Sequence, residues 1–149
     1  MSKRLSLALF LACFVALGCR DHHLERHFFD QPPGSRIERL RRYSLDDQYK
    51  IFRYGNDIKE PPAMELARPI AERGASAVPF LVGRLKTSAD DIAVRDILLI
   101  FESMEASGTY NVKADTALMA VLTSKVSQMK DKEWQAICLK RLRNISDSK

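Results

Sequence analysis

The histidines close to the start of the chain are the residues whose types and spacing could support metal chemistry. They are His22, His23 and His27, and no histidine follows them. In a helix, His23 and His27 would share one face at positions i and i+4, a spacing that lets two imidazoles reach one metal ion. The intervening Glu25 would point away from that face, so the pattern differs from the His-Glu-x-x-His motif. We therefore predict no metal site, with weak metal binding by these three histidines as the alternative.

Other motifs for catalysis or cofactor binding do not occur in the sequence. There is no Gly-rich phosphate loop, no Gly-x-Ser-x-Gly elbow and no Cys-x-x-Cys pair. The acidic pairs Asp46-Asp47 and Asp90-Asp91 precede predicted helices, where the helix dipole favours carboxylates. We therefore expect a non-catalytic protein that has no cofactor.

The first residues of the chain have the pattern of an addressing signal rather than of a folded element. Lys3 and Arg4 precede an apolar run at residues 5–17. A run of this length behind a positive start is typical of a secretory signal and is too short to span a bilayer comfortably. We therefore exclude this segment from the predicted fold.

A cysteine motif follows this segment. Residues 15–19 read VALGC, which resembles the lipobox of bacterial lipoproteins, although leucine is usual where this chain has Ala16. The resemblance implies that residues 1–18 are removed as a signal peptide, that Cys19 carries a lipid, and that the protein is anchored in a membrane of the bacterial cell envelope. Arg20 after the cysteine favours the periplasmic face of the outer membrane. The small residues before the cysteine also suit an ordinary signal-peptidase site, so a soluble secreted protein and an uncleaved anchor are the alternatives.

A polar segment separates this anchor from the predicted domain. Residues 19–35 lack a sustained helical period and end in Pro-Pro-Gly, so we interpret them as the anchor cysteine and a flexible tether. Four arginines follow within one short helical stretch. They are candidates for contact with membrane headgroups or with a partner, or they only solvate the first helix of the domain. These candidates are Arg36, Arg39, Arg41 and Arg42.

The rest of the chain is organised around a helical hairpin that we predict at residues 74–104. Apolar residues recur at helical spacing on both sides of a short polar break. Ser88 followed by Asp91 predicts a capping pair at the start of the second helix. An earlier helix is predicted to start after Ser44, and Gly55 is expected to end it in the left-handed conformation.

The apolar pattern of this hairpin returns 37 residues later, which predicts a second copy at residues 113–145. The matched pairs are Leu81/Leu118, Leu85/Leu122, Ile97/Trp134, Ile100/Ile137 and Phe101/Cys138. Two-helix repeats of about 40 residues are typical of HEAT and armadillo proteins. The Ala-Val-Pro-Phe-Leu run at residues 77–81 also resembles the start of a HEAT-like repeat. We therefore predict an all-α domain at residues 36–146, a short right-handed stack of about two to three antiparallel helical hairpins, with a frayed tail at residues 147–149.

Cysteine usage agrees with a lipid-anchored chain. Cys13 would leave with the signal and Cys19 would carry the lipid, so Cys138 would have no partner for an intramolecular disulfide. Cys138 falls on an apolar helical stripe, and we expect a buried, unreactive thiol there.

Length and charge bound the remaining functions. A chain of 149 residues with a formal charge of +5 allows one globular domain. Without Lys3 and Arg4 the charge falls to +3, which is mild and does not imply a nucleic-acid partner. By analogy with other helical-repeat proteins, we expect the domain to bind another envelope protein. A structural role at the membrane through the four arginines is the alternative.

Overall fold

The computed structural model describes residues 22–148 of the chain. Eight α-helices occur in this range and none of its residues forms a β-strand, which confirms the predicted all-α class. The helices are α1 His23–Asp30, α2 Arg36–Leu40, α3 Leu45–Ile58, α4 Ala67–Ala71, α5 Val78–Thr87, α6 Asp91–Ser107, α7 Thr116–Ser127 and α8 Lys132–Ser146. Short 3-10 turns lead into α2, α4 and α5 at Pro33–Ser35, Met64–Leu66 and Gly74–Ala77.

Both ends of the chain carry sequence predictions that fall outside this range. The predicted signal peptide at residues 1–18 and Cys19, the predicted lipidation site, lie outside the described residues, as does Lys149. Within residues 22–148, no helix is both long and apolar enough to cross a membrane. Ser148, which we expected in a frayed tail, instead donates a hydrogen bond to Glu105 Oε1 at 2.7 Å.

Helix α1 belongs to the folded domain, which differs from the flexible tether expected at residues 19–35. Phe28 is fully buried and Phe29 nearly so, and α1 packs on α3. The rings of Phe28 and Tyr43 meet edge to face with their centroids 5.9 Å apart. Two adjacent phenylalanines bring enough apolar surface to outweigh the conformational entropy lost in ordering one short helix. The folded domain therefore includes at least residues 23–30.

Gly55 does not end helix α3, although the sequence suggested that it would. The helix continues to Ile58, and Gly55 is buried within it. A Cβ atom added at Gly55 would lie 2.6 Å from Cζ of Phe29 and 2.9 Å from Cβ of Ala63. The glycine is therefore needed for the close approach of α1 to α3 rather than for a left-handed turn.

The central hairpin predicted at residues 74–104 consists of α5 and α6. Asp90, rather than Ser88, is the N-cap of α6, because its side chain accepts a hydrogen bond from Ile92 N at 3.0 Å. Ser88 accepts from Asp90 N at 3.2 Å and so orders the turn before the cap. At the other end, Gly108 ends α6 with φ of 68°, the left-handed conformation that glycine tolerates best.

Helix α6 is the centre of the core. It packs most extensively on α8 and α4 and also contacts α3, α5 and α7. Its fully buried apolar residues are Ile97, Leu98, Ile100, Phe101 and Met104. The equivalence expected between Ile100 and Ile137 is only partial, because Ile137 on the last helix is 42% exposed. We attribute this difference to position in the chain, since α6 lies between α4 and α8 whereas α8 packs mainly on α6 and α7.

Candidate functional site

A groove of about 760 Å³ opens between α1, α3 and the turn that joins α5 to α6. Its volume falls within the range of about 300–1,000 Å³ that is usual for ligand sites. Leu24 of α1 and three residues of α3, Tyr49, Tyr54 and Ile58, form its apolar part. Ile58 is 62% exposed at the end of α3. The groove therefore offers a ligand the partly exposed ring of Tyr54 and an uncovered aliphatic side chain.

Charges of both signs line the same groove. The cations are Lys50, Arg53 and Arg84, and the carboxylates are Glu25, Asp57 and Asp90. Arg53 Nη2 donates to Asp90 Oδ2 at 2.8 Å and lies 3.4 Å from Asp57 Oδ2. These pairs hold the groove charges in place, while the side chains of Asp57 and Asp90 keep 37% and 52% exposure. The groove can therefore contact a ligand that carries both a positive and a negative group.

Asp46 fixes the other two cations from outside the groove. Lys50 Nζ lies 2.6 Å from Asp46 Oδ2, and Arg84 pairs with the other carboxylate oxygen. The hydrogen bond from Lys50, followed by that from Arg84, lowers the pKa of Asp46. Burial beneath these side chains raises the pKa of Tyr49 to about 12, so its hydroxyl stays protonated at neutral pH. Arg84 also lies over the rings of Tyr49 and Phe80.

A buried carboxylate, Asp96, lies behind Arg53. Asp96 is fully buried, with Oδ1 2.7 Å from Arg95 Nη2 and Oδ2 3.4 Å from Arg53 Nη1. Burial raises the pKa of Asp96, although the guanidinium groups of Arg95 and Arg53 oppose this shift. Sequence reasoning missed this residue. The available signal was a single carboxylate at core spacing inside the apolar run of α6.

A second surface is formed by side chains of α6 and α8, which run parallel to each other. Arg95 and Trp134 make one contact across them, with the guanidinium carbon 4.6 Å from the ring centroid. Glu102 and Arg141 form an ion pair across the same two helices. In both contacts, the two residues are 39 positions apart in the sequence. We call this surface the α6/α8 face, formed by Arg95, Leu99, Glu102, Trp134, Ile137 and Arg141. Leu99 lies one helical turn from both Arg95 and Glu102, and Ile137 lies between Trp134 and Arg141.

Three of the four arginines proposed for membrane or partner contact have partners within the domain. Arg36 and Arg39 lie over the rings of Phe29 and Phe28, at 5.1 and 5.2 Å from the centroids. Arg39 also donates to the Pro32 carbonyl at 3.0 Å. These two arginines therefore hold α1 against α2.

The other two arginines, Arg41 and Arg42, differ in whether their side chains have partners within the domain. Arg41 donates from two nitrogens to Glu72, at 2.7 and 2.6 Å, and also pairs with Glu38. The hydrogen bonds from Arg41 lower the pKa of Glu72. Arg42 is exposed, and no hydrogen bond or ion pair of its side chain occurs within residues 22–148. Of these four arginines, only Arg42 is therefore uncommitted in the part of the chain that the structure describes.

The three histidines do not converge. His23 and His27 share a helix face, as their spacing predicts, with ring centroids 6.4 Å apart. His22 instead lies beside Tyr54, at 5.3 Å between ring centroids, with Nδ1 3.5 Å from Glu25 Oε1. Across residues 22–148, no three His, Cys, Asp or Glu side chains are grouped so that they could hold a metal ion.

Cys138 occupies the core between α6 and α8. It is a free, buried cysteine, and burial raises the pKa of its thiol to about 11. A thiol with such a pKa is almost fully protonated at neutral pH and is a poor nucleophile. The expected buried thiol is therefore found at this position.

Comparison with protein-family models, with curated proteins and with solved structures finds no match for this chain.

Proposed function

We propose that this chain is a lipid-anchored, non-catalytic protein of a bacterial cell envelope whose helical domain binds another protein through the α6/α8 face. The anchor is Cys19, and the favoured location is the periplasmic face of the outer membrane. Support for the anchor comes from the positive start, the apolar run and the VALGC sequence that precede the domain.

The domain is proposed to be a short HEAT-like stack of two to three hairpins. Support comes from a sequence separation that recurs between contacting residues along the chain. Side-chain hydrogen bonds join pairs that are 37 to 40 residues apart: Arg53–Asp90, Asp46–Arg84, Ala71–Thr109, Glu102–Arg141 and Asp91–Asp131. Equivalent elements of successive units contact each other at one repeat length, which is about 40 residues in the HEAT class.

The composition of the α6/α8 face is the observation that carries the proposed binding role. It combines the exposed aliphatic side chain of Ile137 with a tryptophan and two arginines that pack against each other or pair with Glu102, the arginine side chains keeping 15% and 18% exposure. Trp and Arg are the residues most enriched among those that dominate binding energy at protein interfaces. Parallel helices α6 and α8 hold these side chains on rigid elements, which lowers the entropy lost on binding.

Helix α8 offers a matched pair of positions for a test. Ile137 is 42% exposed and Leu139 is 44% exposed, and they are two residues apart. Two residues correspond to about 200° around a helix, so the two side chains point to nearly opposite sides. A photoreactive residue at position 137 of the full chain in bacterial cells should give a protein adduct of discrete mass. The same residue at position 139 should give none.

A variant of the same face separates a specific contact from incidental crosslinking. Leu99→Ser should reduce the adduct at position 137 several-fold if the partner covers the α6/α8 face. Equal adducts at positions 137 and 139, or no adduct at either, would overturn the binding face. The anchor is tested separately by membrane fractionation and intact mass, with Cys19→Ala as the control that should lose both the lipid mass and the membrane association.

A further inference from the structure

The groove between α1, α3 and the α5–α6 turn lies where the chain enters the domain. His22 is the first described residue and is part of the groove lining. Cys19 precedes it by three residues, and each residue extends a chain by at most about 3.6 Å. A lipid on Cys19 would therefore hold His22, at one edge of the groove, within about 11 Å of the anchored cysteine, whatever the conformation of the intervening residues.

From this placement we propose that the groove contacts the bilayer and takes a zwitterionic headgroup whose ammonium carries N–H donors, that of phosphatidylethanolamine; phosphatidylcholine, whose quaternary ammonium has no N–H, does not satisfy the site. The proposal rests on the lipid anchor of the proposed function but concerns a different surface from the α6/α8 face.

Charge complementarity favours a zwitterionic headgroup over a uniformly anionic one. The groove lining carries three cations, Lys50, Arg53 and Arg84, and three carboxylates, Glu25, Asp57 and Asp90. The headgroup phosphate can accept hydrogen bonds from Arg84 and Lys50, whose side chains are 45% and 49% exposed. The headgroup ammonium can donate to the carboxylates of Asp57 and Asp90. A lining of balanced charge gives no reason to prefer a lipid that carries only negative charge.

The apolar residues of the groove suit the same location. Tyr54 presents a ring with a polar hydroxyl, the side-chain type that is enriched at the headgroup level of membranes. Ile58, at the lip of the groove, is the most exposed of the large apolar side chains in residues 22–148. Contact with the membrane interface would remove this side chain from water.

The experiment places a photoreactive residue at Ile58 of the full chain, purified from a bacterial host and reconstituted into vesicles. Vesicles of phosphatidylethanolamine and phosphatidylcholine are compared with vesicles in which phosphatidylglycerol replaces the phosphatidylethanolamine. We expect a phospholipid adduct at position 58, at least several-fold more abundant with phosphatidylethanolamine. The same photoreactive residue at Leu139, which is 44% exposed on α8, should give no lipid adduct.

Charge reversal supplies the second arm. Arg84→Glu should lower the yield of the adduct at position 58 several-fold. Arg143→Glu, which reverses the same charge at an exposed position of α8, should leave that yield unchanged. Two outcomes in the vesicles would overturn the proposal: equal adducts at positions 58 and 139, or no preference among the lipids. Crosslinking at position 58 is also carried out in native membranes, where a protein adduct in place of the lipid adduct would overturn it.

The anchor and the groove contact have separate readouts. The mass of the peptide that contains Cys19 reports lipidation, and the adduct at position 58 reports the groove. A lipidated Cys19 without a lipid adduct at position 58 overturns the headgroup contact and keeps the anchor. A lipid adduct in a chain whose Cys19 is unmodified overturns the anchor and keeps the headgroup contact.

Discussion

The guanidinium group of Arg95 lies over the ring of Trp134, with its central carbon 4.6 Å from the ring centroid. Arg95 also holds Asp96 through an ion pair of 2.7 Å, so one side chain links the surface of α8 to a buried carboxylate of α6. This contact and the Glu102–Arg141 pair align α6 and α8 in parallel over almost two helical turns.

Loss of the aromatic ring should weaken this alignment by a modest amount. Trp134→Leu keeps an apolar side chain but removes the cation–π contact, and we expect a loss of about 0.5–1 kcal/mol in the free energy of unfolding. Urea unfolding followed by circular dichroism measures it. Ile137→Ala, at an exposed position of the same helix, should change stability by less than about 0.5 kcal/mol. A larger loss for Ile137→Ala than for Trp134→Leu would contradict this account.

Loss of the buried carboxylate of Asp96 should lower the free energy of unfolding far more than loss of the exposed carboxylate of Asp90, although both pair with Arg53. Asp96→Ala leaves Arg95 and Arg53 without their buried counter-charge, which should cost about 3 kcal/mol or more. Asp90→Ala removes an N-cap and a half-exposed ion pair, which should cost about 1 kcal/mol. Urea unfolding of the two variants measures the difference, and equal losses would contradict the buried role of Asp96.

Two helical glycines should respond in opposite ways to the same substitution. Gly55→Ala places a Cβ atom 2.6 Å from Phe29 Cζ, and we expect a loss of about 1–3 kcal/mol from overpacking. Gly83→Ala, in helix α5, meets no atom within 4 Å and should gain about 0.5–1 kcal/mol from helix propensity. Thermal or urea unfolding tests both variants. A stable Gly55→Ala protein would mean that α1 does not pack closely on α3.

Truncation of Phe28 tests whether α1 belongs to the folded domain. Phe28→Ala should lower the free energy of unfolding by about 3 kcal/mol or more, since the ring is fully buried. His23→Ala, at an exposed position of the same helix, should change it by less than about 0.5 kcal/mol. If α1 were a tether, both substitutions would be equally neutral in urea unfolding.

The pair between Arg41 and Glu72 should make stability depend on pH in the acid range. Arg41 lowers the pKa of Glu72 below its ordinary value of 4.5, so the ionised carboxylate is favoured in the folded state. Its contribution is therefore present above pH 4.5 and is lost as the pH falls through the lower, folded-state value. Arg41→Ala should make stability fall less steeply from pH 5 to pH 3.

Arg42→Ala is the matched control for this measurement. Arg42 is adjacent to Arg41 and exposed, and its side chain makes no ion pair within residues 22–148. Urea unfolding at several pH values should therefore give the native pH dependence for Arg42→Ala. Flattening by both variants would indicate a general charge effect rather than the specific pair.

Local sequence signals predicted the helices better than the contacts between them. The all-α class, the helix start at Ser44 and the burial of Cys138 all follow from short-range rules of helix periodicity and capping. The same rules failed for Gly55, because a glycine inside a helix and a glycine at its end look alike until the neighbouring helix is placed. They also failed for α1, since the burial of Phe28 and Phe29 depends on contacts with α3.

From residue 36 onward, the sequence by itself determined where most helices form and which of their faces are apolar, because both depend on residues within a few turns of each other. It also supplied the signal-like segment and Cys19, which lie outside the described structure. Only the tertiary structure decided which polar residues meet. Arg53 reaches Asp90 across 37 residues, Arg41 reaches Glu72 across 31, and the groove combines α1, α3 and the α5–α6 turn. Such contacts arise from the packing of whole helices, and no local pattern of residue types encodes that packing.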